Sequence, residues 1–348
     1  MKLLLVNDYP MDEAMALWKR GEYPGHHLWG ATHFEENGIE FDIASLCSRP
    51  SLQKSGLASK RQMLEALERQ LRILASSRQY DVIYSASQNS TWLLSWLRSR
   101  RLFSTPIVAL VHHPLRGRLT GRAFIQGHDR LLFLSEAVQQ DTERRYGKDL
   151  GKFDVLPWGV DLDFYPSVAE GGVPGQFFIS AGKVNRDNDT LAAAFAAIEF
   201  PLEIYCSEET RPFVEPSANV SVHSHPTGHG ITYKKLLKEY GKSYAIAICL
   251  KDTEALAGLT SLYDAMAMGK AVVMTRNKNI DIDIEKEGIG IWIEADDIEA
   301  WRRAIHLLVE QPELTKKMGV KARQLCEKKF SLEIFSSQLV NVLNSVQV

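Results

Sequence analysis

One feature constrains this chain more than any other: short, mostly apolar runs alternate with longer amphipathic stretches along its whole length. The runs KLLLV at 2–6, FDIASL at 41–46, DVIYSA at 81–86, IVALVH at 107–112 and RLLFLS at 130–135 are bounded by turn-forming residues. Unbroken hydrophobicity over so few residues marks strands buried on both faces, the condition of a parallel sheet covered by helices. Between two of them, RQMLEALERQLRILASS at 61–77 repeats Met63, Leu64, Leu67, Leu71 and Leu74 at spacings of three and four, one face of a helix. The rhythm restarts with FFISAG at 177–182, LEIYCS at 202–207, NVSVHS at 219–224, AIAICL at 245–250, AVVMT at 271–275 and IGIWIE at 289–294. Strand and helix alternate in both halves, so the expected class is α/β with two Rossmann-like doubly wound domains.

The break between the halves is PWGVDLDFYPSVAEGGVPGQ, residues 157–176, which holds three prolines and four glycines and has no helical period. It divides the chain into a domain over 1–165, a domain over 166–330 and a terminal helix over 331–348. A chain of 348 residues suits two domains, and 45% hydrophobic with 24% charged residues is the composition of an ordinary globular protein. Cys47, Cys206, Cys249 and Cys326 form no close pair, so neither a zinc site nor a disulfide framework is expected, and a reducing cytoplasm fits. The apolar run after Met1 is too short for a signal peptide. The longest apolar stretches, TWLLSWL at 91–97 and YAIAICL at 244–250, are far too short to cross a bilayer. Ligands of open parallel sheets sit beyond the carboxyl ends of the strands, and two such sheets facing a cleft would place the chemistry there.

Two segments carry recognisable chemistry. In EALAGLTSLYDAMAMGKAVVMT, Glu254 to Thr275, a turn through Gly258 and Leu259 leads into a helix for which Thr260 and Ser261 are good N-caps. The free N–H groups of such a helix start invite an anion, and Asp264, one turn in, can accept hydrogen bonds from a diol or simply complement the helix dipole. In FFISAGKVNRDNDTLAAAF, 177–195, a strand ends at Gly182 and a loop carrying Lys183 and Arg186 follows. Two basic residues in a polar loop are either solvated or poised on a diphosphate, Arg as a planar fork and Lys as a point charge.

DAMAMGKAVV resembles the donor-site signature of the retaining GT-B glycosyltransferases known as glycosyltransferase family four, or glycosyl transferases group 1. The resemblance implies a GT-B fold with an acceptor-binding first domain and a nucleotide-sugar-binding second domain. It places Asp264 where the family holds the donor ribose with Glu, and Lys183 and Arg186 on the donor diphosphate, with the basic types exchanged and the loop shortened. The family's first Glu falls at Leu256, whereas the nearest acid is Glu254, two positions earlier. The passage 132–166 resembles the family's interdomain segment with Trp158 in place of its usual Asn. His112, at the end of IVALVH, stands where the family often has a His near the sugar, although adjacent His112 and His113 also suit a buried and an exposed core pair. PGHHLWG at 24–30 resembles the family's Gly-rich first loop, with Gly25 and His26 as candidates for acceptor or phosphate contact. The terminal helix resembles the family's closing helix, which packs back toward the first domain.

The implied reaction moves a hexose from a nucleotide diphosphate sugar, UDP- or GDP-linked, to a hydroxyl acceptor, with retention. No cofactor and no metal are implied, and the Asp-Ile-Asp at 281–283 reads as part of a connection. Two other readings of the same residues are a GT-B sugar-nucleotide epimerase and a non-catalytic nucleotide-sugar-binding module.

With 41 Lys and Arg against 43 Asp and Glu, the net charge of −2 gives no pull toward nucleic acid. Residues 49–122, however, hold 13 basic residues against Glu65, Glu68 and Asp81. That surplus reads as a solvated face, an anionic-acceptor site or a peripheral contact with an anionic membrane, on the inner face for a cytoplasmic protein.

Overall fold

The computed structural model describes residues 1–44, 58–147, 151–166, 175–226 and 230–346. Cys47, Arg49, Lys54 and the Gly-rich part of the linker at 167–174 lie outside the described residues. The chain forms two compact units, Met1–Gly159 with Leu332–Val348, and Val160–Ser331.

In the N-terminal unit the elements run β1 (Lys2–Val6), α1 (Met11–Lys19), β2 (Glu40–Ile43), α2 (Ala58–Ser76), β3 (Val82–Ser85), α3 (Trp92–Ser99), β4 (Ile107–Val111), α4 (Arg118–Gly127), β5 (Arg130–Phe133), α5 (Glu136–Tyr146) and β6 (Phe153–Val155). The strands pair in parallel in the order β2-β1-β3-β4-β5-β6, with Leu3 opposite Phe41 on one side and Val82 on the other. Every residue of β3 and β4 is buried, as unbroken apolar runs require. Only β6 escapes the sequence reading, because three edge residues carry too little apolar pattern. Buried Gln70 of α2 holds the start of α3, its Oε1 accepting the N–H groups of Leu93 (2.7 Å) and Leu94 (3.3 Å) where Thr91 makes no side-chain cap.

The second unit runs β7 (Phe178–Gly182), α6 (Asn188–Phe195), β8 (Leu202–Ser207), β9 (Val220–His225), α7 (Tyr233–Lys242), β10 (Ala245–Ile248), α8 (Leu259–Ala267), β11 (Val272–Thr275), β12 (Gly290–Ile293), α9 (Ile298–Glu310) and α10 (Pro312–Lys329). Its parallel order is β12-β11-β10-β7-β8-β9. Chain order reverses between β7 and β10, so loops leaving these two neighbours diverge and open a crevice at their carboxyl ends. The core beneath is built on Phe178, Phe195, Ile204, Ala247, Val273 and the fully buried Trp301.

The unit boundary falls at 159/160, earlier than the 165/166 division expected from composition. Val160 bridges Ser331, and the Tyr165 hydroxyl bonds Asp264, so these residues fold with the second unit. Helix α11 (Leu332–Ser345) belongs with the first unit, where Leu339 and Phe335 lie against Gly30. Among the described residues no helix is long and apolar enough to cross a membrane.

Candidate functional site

The crevice of the second unit is built around Arg186. Strand β7 ends at Gly182, the chain turns through Asn185 in the left-handed region (φ 55°), and Arg186 pairs with Leu250 just beyond β10. The Arg186 side chain then folds back over Gly182. A Cβ there would stand 2.1 Å from Arg186 Nε, so only glycine admits the guanidinium. Nη2 donates to Ala181 O (3.1 Å) and to Ser261 Oγ (2.7 Å), and Nη1 donates to Val184 O (3.4 Å). All of these acceptors are neutral. Arg186 is 7% exposed, its Nε has no hydrogen-bond partner, and no carboxylate pairs with it among the described residues. Burial pulls its pKa below the ordinary value, yet an arginine stays charged. An uncompensated buried cation costs several kcal/mol, on the order of 3–5 when a buried pair is broken, and a bound anion would remove that cost. Lys183, by contrast, is exposed and forms no ion pair among the described residues.

Helix α8 supplies the second component. It starts after Gly258 rather than at a Thr260 or Ser261 cap, because Gly258 takes the left-handed conformation (φ 80°) with no room for a Cβ, 2.5 Å from Met274 Cε. Thr260 and Ser261 therefore lie inside the first turn. The helix geometry leaves the N–H groups of Leu259, Thr260 and Ser261 without intrahelical acceptors. Ser261 Oγ donates to Ala181 O (3.2 Å) while accepting from Arg186, which ties this helix start to the end of β7.

One turn on, Asp264 is buried, and its Oδ1 accepts hydrogen bonds from both Tyr165 and Tyr233, whose hydroxyl oxygens lie 3.2 Å apart. Burial raises the Asp264 pKa to about 6, against the lowering effect of the two hydroxyls. Neither tyrosine stood out in the sequence. Both are separated from Asp264 by dozens of positions, and a Tyr in an apolar context reads as core.

Glu254 is exposed on the loop before α8, and Leu256 is buried. That loop is fastened from below by two buried asparagines that the sequence reading missed. Asn279 Nδ2 donates to Glu254 O (2.6 Å), Asn277 Nδ2 to Ala255 O (2.9 Å), and Asn277 Oδ1 accepts the Asn279 N–H. The Asp-Ile-Asp segment serves a turn: Asp283 Oδ1 accepts from Trp292 Nε1 and from the N–H groups of Glu285 and Lys286.

In the N-terminal unit the loops after β1 and β4 carry aromatic groups. His112 follows β4, donates from Nε2 to Ala86 O (2.8 Å) and packs on Trp29 at 4.8 Å. Burial holds its pKa down at about 4, so its Nδ1 is a neutral acceptor at physiological pH. Gln88 Oε1 accepts the N–H groups of His112 and His113 and sets this loop. Gly25 and His26 open a short 3-10 turn, and the His26 carbonyl accepts the Trp158 indole N–H (3.2 Å). Trp158 stacks on Trp29 at 5.0 Å, a packing role. Gly30 (φ 90°) is a position in this loop where only glycine fits, since a Cβ there would meet Leu339.

Part of the basic stretch is neutralised. Arg98 pairs with Asp129 (2.6 Å), and Arg72 with Glu68. Arg100, Arg101, Arg116, Arg118 and Arg122 are exposed, with the Arg100 guanidinium over the Trp96 ring.

Residues 25–164 match the family described as Glycosyltransferase Family 4, and residues 216–325 match Glycosyl transferases group 1. No curated protein is a significant match. Among solved structures, HepE of Anabaena in complex with UDP-glucose is 14% identical over 99% of this chain and 100% of that one, with a TM-score of 0.69. Sucrose-phosphate synthase from Thermosynechococcus elongatus is also 14% identical, over 99% of each chain, with a TM-score of 0.72. WaaG, a glycosyltransferase involved in lipopolysaccharide biosynthesis, is 13% identical over 98% of this chain and 99% of that one, with a TM-score of 0.62. At such identities the likeness is one of fold, two parallel six-stranded sheets with flanking helices.

Proposed function

We propose, from the premise that this chain belongs to the glycosyltransferases of the GT-B fold, that it moves a hexose from a nucleotide diphosphate sugar to a hydroxyl acceptor with retention of anomeric configuration. The observation that carries the donor assignment is the buried Arg186 guanidinium, unpaired at Nε and bonded only to neutral groups at a strand switch point. HepE crystallised with UDP and UDP-glucose supports a UDP-sugar as donor, with a GDP-sugar as the other candidate.

As the bond from the anomeric carbon to the diphosphate breaks, negative charge grows on the departing oxygens. Arg186, already held in place by Ser261 and Ala181, and the N–H groups of Leu259, Thr260 and Ser261 stabilise that charge more than the ground state. Lys183 adds a mobile positive charge from the loop after Gly182. Asp264 serves the ribose, Glu254 the sugar, and His112 offers its Nδ1 lone pair to a sugar or acceptor hydroxyl. Gly25 and His26 line the acceptor side. No metal and no cofactor are required in this reading.

Charge-assisted hydrogen bonds contribute about 1.5–3 kcal/mol each, so Arg186→Ala should lower turnover of UDP-glucose or a GDP-hexose by about tenfold to a hundredfold. Unchanged turnover would overturn the donor assignment. Incubation with donor alone separates transfer from epimerisation, since a transferase leaves the sugar nucleotide without an isomer.

We also propose a cytoplasmic location with peripheral contact to an anionic membrane through the N-terminal unit. Trp92 (44% exposed) and Trp96 (43%) lie one turn apart on α3, and α4 presents Leu119 (79%) between Arg118 and Arg122. Indole rings beside arginines suit an anionic headgroup region, and each basic residue near the surface contributes about 1 kcal/mol. Co-sedimentation with phosphatidylglycerol vesicles, lost in high salt and absent with phosphatidylcholine, is the expected result. Equal recovery with both lipids would refute it.

A further inference from the structure

The chain leaves the short turn Gly25–Leu28 through Trp29, a buried residue in the left-handed region (φ 53°, ψ 42°). A residue with a large side chain takes that conformation only where its surroundings outweigh the steric penalty. Three hydrogen bonds hold it there. Its N–H donates to His26 O (3.2 Å), its carbonyl accepts from the Tyr84 hydroxyl (3.1 Å), and its indole N–H donates to the Tyr9 hydroxyl (2.8 Å). Trp29 is thereby fixed at both backbone and ring.

The ring so placed meets two others of the N-terminal unit. It stacks on Trp158 at 5.0 Å with an interplanar angle of 14°, and it packs against the His112 imidazole at 4.8 Å with an angle of 54°. Trp158 is anchored in turn, its indole N–H on His26 O (3.2 Å) and its ring edge-on to His26 and His27 at 5.3 Å each. The asparagine that the interdomain resemblance leads one to expect at this position has no ring with which to stack. His112 has need of such support, because an imidazole turns readily about χ2 and carries its proton on either nitrogen. The bond from Nε2 to Ala86 O (2.8 Å) fixes one atom, and a ring contact fixes the plane.

Resting on the reading that His112 serves a sugar or acceptor hydroxyl, we propose that Trp29 and Trp158 are positioning residues for His112: stacked on each other, they hold the imidazole so that Nε2–H stays on Ala86 O and the Nδ1 lone pair stays available to a hydroxyl. The indole also keeps water from the imidazole, in keeping with burial as the main cause of its low pKa. The titratable groups that face His112 are Asp8, just beyond β1, which favours the charged form, and His113, which opposes it. Protonation puts a hydrogen on Nδ1 and abolishes the acceptor, so the contact that orients the ring also protects its function from acid.

NMR of the protein labelled with 15N and 13C at histidine reads the tautomer and the titration midpoint of His112, whose signal is the one missing in His112→Ala. Wild type should keep Nε2–H and stay neutral down to about pH 5. In Trp29→Leu the midpoint should rise toward the ordinary 6.5, with both tautomers present. Trp158→Leu and Trp29→Phe should give smaller rises in the same direction. Transfer by these variants should then decline between about pH 7 and pH 5, where wild type holds its rate, with KM for the nucleotide sugar unchanged. An unchanged midpoint and tautomer in Trp29→Leu, or in Trp29→Phe and Trp158→Leu should Trp29→Leu not fold, sinks the positioning role. If His112→Ala keeps wild-type turnover, the role given to His112 fails and the proposal with it, an outcome distinct from an unmoved midpoint.

Discussion

The two units share one topology but place different chemistry beyond the carboxyl ends of their strands. In each, the strand order reverses between two neighbours, β1 and β3 in the first unit and β7 and β10 in the second. The second unit puts buried ionisable groups there: Arg186 with only neutral partners, and Asp264 with its pKa raised to about 6. The first unit packs its strand ends with imidazoles and indoles, and burial keeps the histidines neutral. His112 is pushed down to about 4, and His26 lies well below the ordinary range. A site that holds a charged leaving group can tolerate a buried cation, because its ligand completes the pairing. A site for an uncharged hydroxyl cannot, and neutral acceptors serve it better.

Acid should break the comparison most sharply. His128, fully buried with Nδ1 against Phe124 O (2.6 Å) and Nε2 against Thr91, has its pKa pushed down from 6.5 to about 4. A group whose folded pKa lies below its unfolded value costs stability as pH falls through that interval, up to about 3 kcal/mol for this one residue. Asp264 has the opposite sign. Its folded pKa lies above 3.8, so its cost is present at neutral pH and is relieved as pH falls through about 6. Hydrogen exchange followed from neutral to about pH 5 should therefore show protection falling in β4 and α4 before β7 and α8. Equal loss in both units would mean that the buried histidines have solvated routes to protonation.

Gly182→Ala should sharpen the contrast on the other side. The added methyl displaces the Arg186 guanidinium, so turnover should fall toward that of Arg186→Ala, by about tenfold or more, with the fold retained. A variant with wild-type kcat would show that Arg186 does not act from its observed position.

Asn279→Ala should have a smaller effect, about 1–2 kcal/mol or up to roughly thirtyfold in kcat/KM, by releasing the loop that bears Glu254. Comparing UDP binding with UDP-glucose turnover separates its roles, since a loop that serves the sugar affects turnover and leaves nucleotide affinity unchanged. The smallest expected change is for Asp264→Asn measured as stability. Removing a buried charge while keeping an acceptor for two hydroxyls should raise the melting temperature slightly at neutral pH and not at about pH 4.

Buried parallel strands read clearly in the sequence because helices cover both faces and force continuous apolar runs. KLLLV is β1 residue for residue, and IVALVH holds all of β4. Gly182, Arg186, Ser261 and Asp264 could be singled out as candidates in the sequence, because a strand end, a glycine and a helix start lie within a few residues of one another. The predicted caps at Thr260 and Ser261 failed for a tertiary reason: Met274 and Leu250 crowd Gly258 and start the helix earlier, freeing Ser261 to hold Arg186. The need for glycine at Gly30 is likewise tertiary, because α11, hundreds of residues later, packs where a Cβ would stand.

The sequence by itself determined the two doubly wound sheets, the loops that leave their switch points and the basic residues those loops carry, since each depends on hydrophobic period and neighbouring residue types. Only the tertiary structure decided which polar groups meet. That Tyr165 and Tyr233 converge on one oxygen of Asp264, that Asn277 and Asn279 fasten the Glu254 loop, and that Arg186 has no counter-charge among the described residues all arise from contacts between distant segments. Such contacts leave no periodicity in the chain, because a hydrogen bond fixes two positions in space and places no constraint on the residues between them.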